Sequence, residues 1–297
     1  MRIAFIGCVR SSLRALSTLL NMTHSEIEVV AVITKEESTL NADFADLTPL
    51  CIEHGIPYHY ERISERNQSK NFLARHRPDI IYCFGWSYLL DRELLELAEK
   101  GAIGFHPAPL PMGRGRHPII WSLVLGLTET ASTFFLLEKN ADSGPILSQI
   151  EILIEDDDTA TSLYKKLLKL IPTQIDDIIS EYLGGTMQPV VQDTSQVNYF
   201  RRRSRKDGLI DWRMTTNSIC NLVRALAKPY PGAEIKKNGE YFKVWDVLPY
   251  SEQVAVNIEP GKVIYQSTLG PVVKTGDGAI CLIITEPKLK ITIGDYL

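Results

Sequence analysis

The sequence predicts an α/β fold: a doubly wound, parallel (mixed) sheet followed by a small β-rich domain. In the first half, short continuous apolar runs such as RIAFIG, VVAVIT and IIYCFGW alternate with amphipathic segments. Runs of that kind are strands buried on both faces, and their alternation with helices implies parallel pairing with helices on both sides of the sheet. From Gly208 onward the runs become short and alternating (YFKVWDVL, GKVIYQ, PVVKT, AICLIIT), with Gly, Pro and Asn between them. That pattern marks a small barrel or sandwich.

Taken in order, RIAFIG ends at Gly7 and passes into SSLRALSTLLN, where Leu13, Leu16, Leu19 and Leu20 recur at helical spacing. VVAVIT (29–34) is the second strand, and LTPLCIEHG and NFLARHRP are helical. IIYCFGW (80–86) is a strand, DRELLELAEKG a helix, and AIGF a strand that runs into His106. PIIWSLVLG reads as helical, and STFFLLE and ILSQIEILI (146–154) as extended. DDTATSLYKKLLKLIPTQIDDIISEYL is a long amphipathic helix with Asp157, Asp158 and Thr159 as capping candidates. GGTMQP (184–189) breaks it. The first domain is therefore placed at 1–193, a linker at 194–207, and the second domain at 208–297, opening with the helical TNSICNLVRALA.

A chain of 297 residues, 44% hydrophobic and 23% charged, can bury two moderate cores. Its net charge of −4 argues against a surface that grips nucleic acid throughout. The cysteines at 8, 51, 83, 220 and 281 are odd in number and show no CxxC, so neither a disulfide framework nor a zinc site is indicated. The opening MRIAFIGCVRSSLRAL turns polar too soon for a signal peptide, and no segment approaches a membrane span. A cytoplasmic protein with no membrane partner is expected.

Chemistry concentrates in GAIGFHPAPLPMGRGRHP, residues 101–118. His106 sits where a strand gives way to loop, the edge at which open α/β sheets bind ligands. Prolines 107, 109, 111 and 118 stiffen that loop. Asp142, in NADSGPIL, falls in a turn between two extended runs, so the two side chains can form an acid/base pair. Arg114 and Arg116, separated by glycine, are suited to clamp a phosphate or carboxylate, or else form a solvated loop.

The order IIYCFGWSYLL, GAIGFHPAPLPMGRGRHPIIW, NADSGPIL, YFRRRSRKDGLIDW and RALAKPYPGAEI resembles the 10-formyltetrahydrofolate-dependent formyltransferases across nearly the whole chain. That family includes methionyl-tRNA formyltransferase, glycinamide ribonucleotide transformylase and the sugar N-formyltransferases. The resemblance implies a Rossmann-like catalytic domain and a small OB-like C-terminal domain. It also implies an Asn-x-His motif with a distant Asp, acting without metal on a folate-borne formyl group and an acceptor amine. His106 and Asp142 match those positions, whereas Gly104 stands where the family has asparagine. Losing one such oxyanion donor typically costs about 2.7–4 kcal/mol of transition-state stabilisation. A backbone N–H, an ordered water or the His117 ring are the candidate substitutes.

By the same resemblance, 10-formyltetrahydrofolate is the co-substrate. Its pterin is expected against Phe84, Gly85, Trp86, Tyr88 and Leu89 and against Leu137, Glu138, Asn140 and Ala141, although Phe84 also reads as ordinary core. In the implied mechanism the amine attacks the formyl carbon, His106 stabilises the oxygen charge, and Asp142 supports His106 and helps remove the amine proton.

For the acceptor, residues 193–297 carry 15 Lys and Arg against 11 Asp and Glu, net +4, leaving −8 on the rest. The tRNA enzymes have a basic insertion after the second strand. Here TKEESTLNADFADLTPL carries Glu36, Glu37, Asp43 and Asp46, which repel an acceptor stem. The sequence looks more like the sugar enzymes of bacterial surface-polysaccharide pathways. A nucleotide-linked 4-amino-4,6-dideoxy sugar is the preferred acceptor, with the UDP-linked pseudaminic acid precursor as a specific candidate. Its recognition is assigned to Arg10, Ser11 and Ser12 at a helix start, to Pro107, Arg114 and Arg116, and to Arg201, Arg202 and Arg203, although the run RRRSRK reads first of all as a solvated linker. Family members are often dimers, so a homodimer is the implied assembly. Two other readings stay open: a methionyl-tRNA formyltransferase, and a non-catalytic folate or nucleotide-sugar binding protein motivated by Gly104.

Overall fold

The structure, a computed structural model, describes residues 1–38, 42–62 and 66–297; residues 39–41 of the acidic loop lie outside the described residues. The chain forms two compact units that interleave in sequence. One comprises residues 1–118, 130–152 and 165–200, and the other residues 119–129, 153–164 and 201–297.

The first unit is built on seven strands: β1 (Arg2–Gly7), β2 (Glu28–Thr34), β3 (Tyr58–Tyr60), β4 (Ile80–Phe84), β5 (Ala102–His106), β7 (Glu129–Leu136) and β8 (Ile146–Leu153), in the order β3-β2-β1-β4-β5-β7-β8. The pairs from β3 to β5 are parallel, and β7 runs antiparallel to β5. Alternation along β1 shows why its run is apolar throughout. Ile3 and Phe5 join a core with Leu16 of α1 (Arg10–Asn21), Cys51 of α2 (Thr48–Glu53) and Ile175 of α6 (Ala160–Gly184). Ala4 and Ile6 face the opposite core, with Leu73 of α3 (Arg66–His76) and Leu94 of α4 (Arg92–Leu95). Each of the buried Ile, Leu and Phe side chains contributes roughly 1.5–3 kcal/mol of transfer free energy. The strand order reverses between β1 and β4, so the loops after these two strands flank the crevice where such sheets take ligands.

Two local expectations change and a third is narrowed. The helix expected over DRELLELAEKG shortens to α4, because the Lys100 N–H is drawn to the Asp79 carbonyl at 2.9 Å as the chain turns into β5. β3 lies at the sheet edge and is only half-buried, so it carries no apolar run to announce it. Among the capping candidates of α6, Thr159 takes the role: its N–H donates to Ser162 Oγ at 2.9 Å and its hydroxyl accepts the Ser162 N–H at 3.3 Å.

The second unit carries α7 (Thr216–Ala225) and five strands, β10 (Ala233–Lys237), β11 (Glu240–Pro249), β12 (Val263–Gln266), β13 (Pro271–Lys274) and β14 (Ala279–Glu286), ordered β10-β11-β14-β13-β12 with antiparallel pairing. Thr215 caps α7 by accepting the Ser218 N–H, and α7 packs on β11. All five cysteines are free. Among the described residues no helix is long and apolar enough to cross a membrane.

Candidate active site

His106 is the last residue of β5, at the carboxyl edge of the sheet, and is 6% exposed. The loop after it is pinned along its length. Thr133 donates to the Ala108 carbonyl at 2.7 Å, and Gln149 to the Leu110 carbonyl at 3.0 Å. The His106 Nε2 lies 2.8 Å from the Gly113 carbonyl, which only accepts, so this nitrogen carries a proton. Nδ1 faces Asp142, with Oδ1 at 3.8 Å, an electrostatic contact too long for a hydrogen bond. Both side chains are largely buried, at 7% and 18% exposure.

Asp142 lies in the turn between β7 and β8 with φ +55°, a left-handed conformation that non-glycine residues adopt at a cost of order 1–2 kcal/mol and that aspartate tolerates better than most. Its Oδ2 accepts the Gly115 N–H at 2.8 Å. Gly115 belongs to the short strand β6 (Arg114–Gly115), paired in parallel with β9 (Tyr199–Phe200). A Cβ on Gly115 would fall 2.4 Å from the Phe200 carbonyl oxygen, so only glycine brings this N–H to the carboxylate. The sequence reading brought His106 and Asp142 together, and the fold does so.

Gly104 is buried on β5, opposite Phe135. A Cβ there would meet Leu137 Cδ2 at 2.5 Å and the Phe135 ring at 3.0 Å. Apolar side chains therefore fill the start of the volume that an asparagine would need. Gly104→Asn is expected to lower stability by about 1–3 kcal/mol through overpacking, and Leu137→Ala in the same chain is expected to restore most of it. Chemical denaturation of both variants checks this. His117 is half-buried with φ +58°, on the loop that follows β6.

The arginines divide. Arg114 is 5% exposed, and its guanidinium is engaged by Gln192 Oε1 (3.1 and 2.6 Å) and the Tyr199 hydroxyl (3.2 Å), so it faces the interior rather than an incoming phosphate. Arg116 is exposed and donates to the Ser87 carbonyl at 3.0 Å. Arg201, Arg202 and Arg203 belong to the second unit. There Arg201 pairs with Asp207, Arg203 donates to the Asp207 carbonyl at 2.5 Å, and both guanidinium groups lie over Trp121. Arg202 is exposed. At the start of α1, Ser11 and Ser12 are buried, and Ser12 donates to the Phe84 carbonyl at 2.8 Å. The Arg10 N–H is taken by the Asp43 carbonyl at 3.1 Å, so residues 43–45 cover this helix end.

The Asp207 carboxyl is held well below its ordinary range, chiefly by the Arg201 guanidinium and then by the Ser204 N–H. A depressed folded-state value stabilises above the unfolded value near ~3.9 and is lost as pH falls through the folded value. The melting temperature of the second unit is therefore expected to drop as pH falls below about 4. Asp207→Asn should flatten that fall in part, since Asp211 is likewise held at about 2 by Arg213. Thermal scans from pH 7 to 2 check it.

Of the residues assigned to the pterin, Phe84 is fully buried and stacks with Phe105 at 5.3 Å, which makes it core. Gly85 is exposed at φ +59°, and Leu89 is 63% exposed. Trp86 and Tyr88 both face the Lys35 ammonium, at 4.8 and 4.6 Å from the ring centroids. The loop after β4 is thus fixed on one side by Lys35 and on the other by Arg116. Leu137 lies over Gly104, and its N–H donates to the Ala102 carbonyl at 2.7 Å. Glu138 and Asn140 are exposed, Ala141 is half-buried, and the Asn140 carbonyl accepts from Ser143 at 3.0 Å. Pro107 is half-buried beside His106. Burial pushes the Cys83 thiol up, and that of Cys51 to about 11, so neither supplies a thiolate at neutral pH. Among the described residues no group of three or more His, Cys, Asp or Glu gathers in a way that could hold a metal. Sequence reasoning missed Lys35, Gln192 and Tyr199; their role is to hold loops, and no spacing rule marks it.

Solved structures share this fold. WlaRD, a sugar 3N-formyltransferase solved with dTDP and 5-N-formyltetrahydrofolate, matches with a TM-score of 0.71 at 17% identity, covering 97% of this chain and 99% of that one. The N-formyltransferase from Helicobacter canadensis, in complex with folinic acid and dTDP-3-aminofucose, matches with a TM-score of 0.70 at 18% identity, covering 95% and 98%. A variant of HypX from Aquifex aeolicus matches with a TM-score of 0.65 at 17% identity over 94% of this chain, which spans only 44% of that protein. The family described as Formyl transferase matches residues 1–176, and its C-terminal domain matches residues 203–297. With a family match over more than half its length and the fold of these enzymes in both units, the chain belongs to the formyl transferase family.

Proposed function

We propose that this protein transfers a formyl group from 10-formyltetrahydrofolate to the amine of a nucleotide-linked amino sugar, in the cytoplasm. The observation that carries the reading is the His106–Asp142 pair at the carboxyl edge of β5, the two residues the resemblance assigns to catalysis. The amine nitrogen attacks the formyl carbon and the carbonyl electron pair moves to oxygen. His106 stabilises the charge that develops on that oxygen. Asp142 holds the imidazole and assists removal of the amine proton. The C–N bond to the folate nitrogen then breaks as that nitrogen takes up a proton.

Folate is assigned to the loop that carries Gly85, Trp86, Tyr88 and Leu89, braced by Lys35 and Arg116, and to Glu138, Asn140 and Ala141. The exposed Leu89 and the exposed glycine backbone at 85 suit a flat heterocycle. Exposed Arg10 and Arg116 of the first unit are assigned to a nucleotide diphosphate. The catalytic domain is assigned to residues 1–193 and the C-terminal domain to 208–297. A 4-amino-4,6-dideoxy sugar, with the UDP-linked pseudaminic acid precursor as a candidate, is the preferred acceptor.

The test incubates the protein with 10-formyltetrahydrofolate and a panel of UDP- and dTDP-linked 3-amino and 4-amino sugars, with Met-tRNA alongside, and reads products by mass. A formylated sugar supports the reading, and formylation of Met-tRNA alone overturns the acceptor. The apolar filling at Gly104 supports one second reading, a folate or nucleotide-sugar binding protein without turnover. Tight ligand binding with no product on any acceptor would favour it.

A further inference from the structure

Gln192 follows α6 in an extended segment and is 5% exposed, with every bonding direction of its carboxamide in use. Its Nε2 donates to the Asp142 carbonyl at 3.0 Å and to the Gly144 carbonyl at 2.7 Å. Its Oε1 accepts two bonds from Arg114, at 3.1 Å from Nε and 2.6 Å from Nη2. Arg114 is itself anchored by the Tyr199 hydroxyl at 3.2 Å and has no carboxylate partner among the described residues. Asp142 therefore sits in a turn whose carbonyls, before and after Ser143, are both gripped by one side chain.

We propose that Gln192 is a positioning residue for the His106–Asp142 pair. Its two donated bonds fix the turn that keeps Asp142 left-handed, and Arg114 fixes which way the amide faces. Only a carboxamide meets both demands. A carboxylate there would oppose two carbonyl oxygens, and a cation would oppose Arg114. The same returning segment reaches the histidine: Asn198 Oδ1 accepts the Gly113 N–H, and the Gly113 carbonyl holds His106 Nε2. The segment after α6, from Gln192 at the end of the first domain to Asn198 in the stretch read as a linker, thus braces the site on two sides. The proposal rests on the reading of His106 and Asp142 as the formyl-transfer pair and adds the residue that holds them.

The experiment uses the full chain with Gln192→Leu and with Gln192→Glu. The second variant keeps the side-chain size and the contact with Arg114, so it folds if the first does not. Crystal structures of the variants are expected to show Asp142 out of its left-handed conformation and its carboxylate detached from the Gly115 N–H. An unchanged Asp142 turn in Gln192→Glu overturns the proposal. In the formyl-transfer assay each variant is expected to lose roughly ten- to a hundredfold in kcat with KM for both substrates nearly unchanged. Adding Asp142→Asn should then produce no further loss from the Gln192 substitution, because the two act through one group. Independent, additive losses contradict it. If the native protein formylates nothing, the crystallographic result still decides the positioning claim, and only the functional reading fails.

Discussion

His106→Ala is expected to reduce formyl transfer by roughly 10²–10⁴-fold, the range over which a positioned proton donor acts. The imidazole is buried at a strand end, its Nε2 proton is fixed by the Gly113 carbonyl, and its other nitrogen faces a carboxylate. The thiol of Cys83 is pushed up by burial, and Arg114 is turned inward against Gln192, so neither takes over this role. Alanine also leaves the Gly113 carbonyl without its partner, which costs about 1–3 kcal/mol if no water replaces it. Melting temperature measured beside kcat separates the two effects. A kcat loss that persists when the variant is well below its melting temperature belongs to the chemistry, and an unchanged kcat removes His106 from the mechanism.

The second large effect concerns Asp142, where two substitutions split its two duties. Asp142→Asn tolerates φ +55° and keeps an oxygen to accept the Gly115 N–H, so the fold is expected to hold while the charge beside the imidazole is lost. Activity should fall about a hundredfold or more, within the range for acid–base groups. Asp142→Ala loses the acceptor as well and places a Cβ without a polar arm in the left-handed region. Its stability should fall by a further ~1–2 kcal/mol. Equal stability for the two variants would show that Asp142 carries no structural load, and equal activity of Asp142→Asn and the native chain would remove the carboxylate from the mechanism.

The parts of the fold that bury apolar surface on both faces were legible in the sequence. β1, β2, β4 and β5 announce themselves as continuous runs because helices cover both sides of the sheet. β3 did not, being a three-residue edge strand, nor did the two-residue β6 and β9, whose pairing depends on a return of the chain after α6. In the site, His106 and Asp142 each read alone as an ordinary turn residue, and it was the resemblance to the formyltransferases that singled out the pair. Gln192 was not legible: its role depends on where the carbonyls of Asp142 and Gly144 point. The partners of the arginines were not legible either. Charge patterning counts cations, but Arg201 and Arg205 are paired with Asp207 and Glu234, and Arg114 is buried against an amide. Gly104 was legible as a departure from the family, whereas Leu137 and Phe135, which occupy the space beside it, were not, because nothing in the sequence places them there.

The most direct test of the central claim follows a single atom. With 10-formyltetrahydrofolate labelled with ¹³C in the formyl carbon, the account predicts that the label appears in an amide on the nitrogen of an amino sugar linked to a nucleotide. Label recovered only as free formate, or still on the folate after every acceptor has been offered, would contradict it.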